Sequence, residues 1–193
     1  MPFHVKLKSS YCRDIIFKQT MVLMASILIT GCGQLTSAGS ISIVKDGYYE
    51  MNQSISIGKA FDTWSFCQST EWSNHKTERG ENLVVFYCNV DPKLLVKSVH
   101  DHTAVSNPLK GDESHIQLKT VQLEVSWLVN HDDTFSNGGR YFHYEWKDGT
   151  KFTAKYPVLD FLLNDVYSDK YVLSIDSFGQ HSKTFYKMGK GAN

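Results

Sequence analysis

His100-Asp101-His102 is the densest group of metal-capable side chains in the sequence, with Asp112 and His115 close behind. Two imidazoles at i and i+2 can face one side of an extended strand and bind zinc through a ring nitrogen. A metal-dependent hydrolase using His100, His102 and His115 is the enzyme this spacing would allow. The same stretch, 91–115, also holds Pro92, Asn107, Pro108 and Gly111, the punctuation of a mobile linker. Histidines in such a linker are more often solvated than metal-bound, so the expectation is no metal centre. Nucleophilic catalysis has still less to stand on, because no Gly-x-Ser-x-Gly elbow occurs. Gly138-Gly139 lies between two strand-like runs and opens no helix, so it is not a phosphate loop. No spacing fixes a pair of acids or histidines for proton transfer. The residues therefore read as non-catalytic. Lys183, Lys187 and Lys190 form a small basic patch on what reads as a solvated, frayed tail. Trp64, Trp72, Trp127 and Trp146 could serve a peptide or glycan surface, but a small domain also needs such rings for its core.

Charge excludes further classes. The 193 residues carry 20 Lys+Arg against 20 Asp+Glu and are 41% hydrophobic. That suffices for one core and offers no net positive field to nucleic acid. The charge is unevenly spread, with Lys6, Lys8, Arg13 and Lys18 set against Asp14 alone ahead of the apolar run Met21 to Ile29. As a helix that run would rise only about 14 Å, less than half of a hydrocarbon core. It reads as the h-region of a signal peptide rather than a permanent span.

The run ends in Ile29-Thr30-Gly31-Cys32, which resembles the lipobox of bacterial lipoproteins. The resemblance implies a signal peptide over 1–31, a diacylglyceryl thioether on Cys32, and acylation of the new amino terminus. It also implies the membrane as a partner, since two or three acyl chains hold firmly where one does not. The covalent lipid would be the only attached group. Gly33 in place of aspartate implies, by enteric sorting rules, the periplasmic face of the outer membrane in a Gram-negative envelope. Loss of the leader removes four bases and one acid, leaving 16 against 19, so the processed chain is mildly acidic.

Cys12 leaves with that leader and Cys32 takes the lipid, which leaves Cys67 and Cys88. An even pair in an exported chain reads as one disulfide, and no Cys-x-x-Cys suggests a redox role. Ile57, Phe61, Trp64 and Cys67 fall on one face of a helix begun by Ser54 or Ser56. In Leu83 to Cys88, alternation sets Cys88 on the face of Val84 and Phe86. Both thiols then point into a shared core.

The elements that would carry these residues follow from periodicity. Residues 33–42 (GQLTSAGSIS) are small and polar, a flexible tether that ends before a single domain at 43–182. Val121, Leu123, Val125, Trp127 and Val129 alternate with Gln122, Glu124, Ser126 and Leu128, the clearest strand of the chain. His131 to Gly139 reads as a loop, followed by strands Arg140 to Trp146 and Lys151 to Tyr156. A three-residue turn Lys147-Asp148-Gly149 sets Tyr144 against Phe152, Phe142 against Ala154 and Glu145 against Lys151, with Gly149 left-handed. Pro157 would start a helix through Tyr167, and 183–193 would be tail. The expected order is tether, short strand, helix, strand, linker, three-strand meander, helix and tail. The fold class is α+β: an antiparallel sheet of four to five strands, including a C-terminal meander, with two short helices packed on it.

Two wider resemblances bear on function. Val44-Lys45-Asp46-Gly47, Ser56 to Phe61, Trp72 and Gly80 to Phe86 are laid out as in a group of small, uncharacterised bacterial envelope lipoproteins. That group contributes no catalytic residues and implies a small α+β fold. Val85-Phe86-Tyr87-Cys88 is similar to envelope lysozyme inhibitors, in which a tyrosine lies near a disulfide cysteine. The leading expectation is a membrane-anchored, non-enzymatic lipoprotein that contacts an envelope protein. A metal-dependent hydrolase and a lysozyme-type hydrolase inhibitor are the alternatives.

Overall fold

The computed structural model describes residues 37–106, 113–156 and 159–192. Five antiparallel strands run in sequence order: β1 (Cys67–Lys76), β2 (Asn82–Val90), β3 (Leu118–Val129), β4 (Phe135–Trp146) and β5 (Lys151–Lys155). The helices are α1 (Ser37–Lys45), α2 (Ile57–Asp62), α3 (Pro92–Ser106), α4 (Leu159–Tyr167) and α5 (Val172–Gly191), with a 3-10 turn at Ser114–Ile116. The class is α+β, as expected. The meander is longer and the helices are more numerous than the pattern suggested.

The alternation of β3 decides which face is buried. Val121, Leu123, Val125, Trp127 and Val129 are all sealed from water. They share one cluster with Val84 and Phe86 of β2, Tyr144 of β4, and Val44, Phe61, Leu95, Leu162 and Phe178 from the five helices. All five helices therefore contribute to the core against the same face of the sheet.

Two hairpins share one turn chemistry. In the first, Thr77 N–H donates to the Glu81 carbonyl at 2.9 Å and Gly80 N–H to the Thr77 carbonyl at 2.8 Å. In the second, Trp146 N–H donates to the Thr150 carbonyl at 2.9 Å and Gly149 N–H to the Trp146 carbonyl at 3.0 Å. Gly80 and Gly149 have φ of 81° and 86°, the left-handed position this three-residue loop requires. The second hairpin has the expected register, Tyr144 with Phe152, Phe142 with Ala154 and Glu145 with Lys151. The Glu145 carboxylate takes its direct ion pair from Lys119 on β3, at 2.8 Å.

Several expectations are corrected. Ser37–Lys45 is helical where the tether was to continue and a short strand to follow. Ser40 and Val44, four apart, are both fully buried, so packing overrides the weak helix propensity of the β-branched residues. α2 stops at Asp62 after its Ser56 cap, whose hydroxyl accepts from Lys59 N–H at 3.3 Å. Cys67 therefore opens β1 and does not extend the helix face. β1 itself escaped notice because most of its side chains meet water.

The supposed linker contains α3. Pro92 stands in the first helical position, where its missing N–H costs nothing, and the Asp91 carboxylate accepts from Lys93 N–H at 2.9 Å. Leu95 and Val99 then fall on one buried face. β4 starts at Phe135 and not Arg140, with a register shift opposite Ser126. Gly138 and Gly139 make that shift possible: a Cβ on Gly138 would lie 2.6 Å from Ser126 Oγ, which receives Gly139 N–H at 2.7 Å. The tail is also structured, since α5 runs to Gly191 and Lys190 reaches Asp148 at 2.9 Å. Among the described residues, no helix is long and apolar enough to cross a membrane.

Candidate functional site: the open sheet face

With the helices on one face, the odd residues of β1 and β2 and the even residues of β3 lie on the other. Cross-strand register arranges them in rows. One row is Ser69, Asn89, Gln122, His143 and Thr153; the next is Glu71, Tyr87, Glu124, Tyr141 and Lys155. Every one of these ten side chains is exposed or half-exposed. These two rows are polar and aromatic and span all five strands, while beside them Val85 and Ser126 are buried and Leu83 pairs with Leu128.

Side-chain hydrogen bonds hold the rows together. Asn89 Nδ2 donates to Ser69 Oγ at 3.0 Å, and Gln122 Nε2 donates to Asn89 Oδ1 at 3.1 Å. His143 lies 3.0 Å from Glu124 Oε2 through Nε2 and 3.0 Å from Thr153 Oγ1 through Nδ1. A neutral imidazole satisfies both contacts by donating from Nε2 and accepting the hydroxyl at Nδ1. Hydroxyl, imidazole and carboxylate thus stand in the order used for nucleophile activation. The trio is open to water, with His143 37% and Glu124 24% exposed at the side chain. Its clear effect is to fix His143 in one orientation across three strands.

Tyr87 is the centre of the second row. Partial burial raises its hydroxyl above the ordinary tyrosine range, and the Glu124 and Glu71 carboxylates push the same way against a hydrogen bond with Ser73. The phenol therefore stays a neutral donor and acceptor beside two acids. Ordered polar groups and half-buried aromatics on a rigid sheet suit recognition of a protein surface.

A second feature lies at the β3–β4 end. A cleft of about 90 Å³ is bordered by Tyr49, Met51, Phe135, Leu159, Leu163 and the acidic Glu50 and Asp160. The Tyr49 hydroxyl donates to Asn137 Oδ1 and accepts from Trp127 Nε1, each at 2.7 Å. Burial drives its pKa far above the ordinary tyrosine value. Tyr167, whose ring packs edge-on against Tyr49, is pushed up to about 12 by burial. These phenols serve as neutral structural groups.

The residues singled out by sequence are distributed as follows. Cys67 and Cys88 form a disulfide with Cα atoms 5.2 Å apart, tying the open end of the β1–β2 hairpin. Cys32 lies outside the described residues, and so does the side chain of His102. His100 is exposed on α3, whereas His115 is buried on the 3-10 turn with its carbonyl accepting Trp146 Nε1–H at 2.8 Å. No group of three or more metal-capable side chains comes together among the described residues. Of the basic patch, Lys190 binds Asp148, and Lys183 and Lys187 are exposed on α5. Sequence reasoning missed Glu71, Tyr87, Glu124, Tyr141 and His143 as a group, because cross-strand register is what joins them. Compared with protein-family profiles, curated proteins and solved structures, the chain gives no match.

Proposed function

We propose that this chain is a membrane-anchored envelope lipoprotein whose domain binds a protein partner through the open sheet face. The observation that carries the reading is the pair of polar rows across five strands, held by their own hydrogen bonds on the side opposite the helices. A surface ordered before contact loses little side-chain entropy on binding. The lipobox Ile29-Thr30-Gly31-Cys32 supplies the anchor. α1 begins at Ser37, five residues after Cys32, so the anchor and the domain are at most about 18 Å of extended chain apart. The face would then work close to the bilayer, where anchoring raises the effective concentration of a membrane-bound partner.

The test places a photo-crosslinking side chain at Gln122 on the open face and, separately, at Lys183 on α5, in the full chain in its native membrane. A discrete adduct from Gln122 that is missing from Lys183, and weakened by Tyr87→Ala, supports the reading. Equal adducts from both positions would overturn it. Palmitate labelling of wild type and Cys32→Ala tests the anchor, and equal incorporation in both would remove it.

A further inference from the structure

The two edges of the sheet are treated differently. β5 is five residues long, and α5 passes so close that a Cβ on Gly189 would sit 2.6 Å from the Lys151 carbonyl oxygen. The hairpin geometry explains that contact. Trp146 and Thr150 are a hydrogen-bonded pair, so Phe152 and Ala154 bond to β4, and the backbone of Lys151 and Thr153 points outward. Helix α5 therefore guards the outward backbone of β5.

β1 has the same geometry; α1 packs against it, yet among the described residues no backbone hydrogen bond reaches its outward groups. Thr77 and Glu81 are hydrogen-bonded, so Ser69, Glu71, Ser73 and His75 bond to β2, and Thr70, Trp72, Asn74 and Lys76 point their backbone N–H and C=O groups away from the sheet. The strand is ten residues long, contains no Pro or Gly, and keeps an unbroken register from Ser69 to Lys76. Among the described residues, no further strand pairs with it. Natural sheets blunt such an edge with short strands, bulges, prolines, charged side chains or covering segments, and among the described residues β1 carries the shift at Cys67–Ser69 and the charges of Glu71 and Lys76.

We infer that β1 is a self-association edge, where a second copy of this chain pairs antiparallel about a two-fold axis at Ser73 to give one ten-stranded sheet. Complementary side chains favour one register. The axis sets Glu71 of one copy opposite His75 of the other, twice, and Thr70 opposite Lys76. Trp72 and Asn74 then exchange backbone hydrogen bonds, as the outward groups require. A two-fold contact is self-complementary by construction, and here it places no like charges face to face. Two copies on one membrane meet at high local concentration. The contact uses the backbone edge of β1, so it stands or falls separately from the partner of the open face.

Ser73→Cys tests it directly, because residues facing each other at a non-hydrogen-bonded site have Cα atoms about 4.5 Å apart, within disulfide range. The full-length variant is oxidised in its native membrane beside wild type, which reports any dimer made by Cys12 or Cys32. A covalent dimer of twice the chain mass is expected from Ser73→Cys. Ser69→Cys, whose two copies would lie about 27 Å apart, should stay at the wild-type level. Thr70→Pro removes one outward N–H without touching the β1–β2 ladder and should lower the dimer yield at least tenfold. Glu71→Lys should lower it similarly, and Glu71→Lys with His75→Glu should restore it, each variant being scored for an intact Cys67–Cys88 disulfide. The inference is overturned if Ser73→Cys gives no more dimer than wild type, if Ser69→Cys gives as much, or if the adduct has the mass of a different protein.

Discussion

Phe61 is the side chain through which the shortest helix holds the sheet. α2 has six residues, far too few to be stable alone, so its position depends on what it buries. The Phe61 ring is fully buried and meets Phe86, Trp127 and Trp72 edge-on, at centroid distances of 5.0, 5.4 and 6.3 Å. Truncating such a ring costs about 3–5 kcal/mol, from lost transfer energy and from the cavity left behind. An isolated aromatic pair is worth about 0.5–1.5 kcal/mol beyond area, and pairs sharing one ring do not add, so part of the loss belongs to geometry. Phe61→Leu keeps most of the apolar volume and forfeits the ring geometry, and should cost about 1–2 kcal/mol.

Urea unfolding followed by tryptophan fluorescence reads both variants. With an m value near 2 kcal/mol/M, Phe61→Ala should lower the midpoint by about 2 M, and Phe61→Leu by under about 1 M, with m unchanged. Phe161→Ala is the control: its ring is 51% exposed on α4, and its midpoint should move by less than about 0.3 M. A drop below about 0.5 M for Phe61→Ala would refute the claim that α2 is anchored by this ring. Equal losses for Ala and Leu would refute the assignment of most of the energy to buried volume.

Two further outcomes follow from the hairpins. The Asp148 carboxyl is held far below the usual carboxylate range, first by the Tyr186 hydroxyl at 2.6 Å, then by Lys190 and by Thr150 N–H. A depressed carboxyl stabilises the fold above its unfolded value of 3.8, and that contribution fades as pH falls below it. Protection of α5 against hydrogen exchange, taken relative to the intrinsic rate at each pH, should therefore fall on acidification below 3.8 in wild type, and Asp148→Asn should show reduced protection already at neutral pH. Unchanged α5 protection in the variant would show that this contact does not dock the helix. The Cys67–Cys88 bridge closes a loop with sequence separation 21, worth about 3 kcal/mol on chain-entropy grounds. The double Cys→Ala variant should lose about that much in a urea titration under non-reducing conditions, and a loss under about 1 kcal/mol would mean the unfolded hairpin is already constrained.

Legibility in the sequence tracked burial. The β3 alternation, the β4–β5 register and the left-handed Gly149 were readable, because each rests on a buried face or a specific turn residue; the Cys67–Cys88 pairing followed from the cysteine count, since the helix face assigned to Cys67 does not exist. β1 was not, since a strand that exposes most of its side chains has no apolar period to detect. α3 was misread because Pro92 carries two opposite meanings, a break inside a helix and a preferred first position at its start. Asp91 immediately before it was the signal that decides between them. α5 was overlooked where Ser182, Lys183 and Thr184 dilute a face that Phe178 and Phe185 continue.

The open face was present in the sequence in a different sense. Once Leu123, Val125 and Trp127 are assigned inward, Gln122, Glu124 and Ser126 must point outward, so the core pattern of β3 names its own complement. One strand supplies only a third of the information, however. Glu124 becomes a partner of His143, and Gln122 of Asn89, only when the registers of β2 and β4 are fixed. The β3–β4 register cannot be extrapolated along the strands, because the shift opposite Ser126 moves Asn137 against Trp127 where straight counting from Arg140 would give Gly138. Gly138 and Gly139 mark that shift and were read as a loop. A glycine pair flanked by strand-forming residues on both sides is better taken as a bulge, and that assignment would have extended β4 to Phe135.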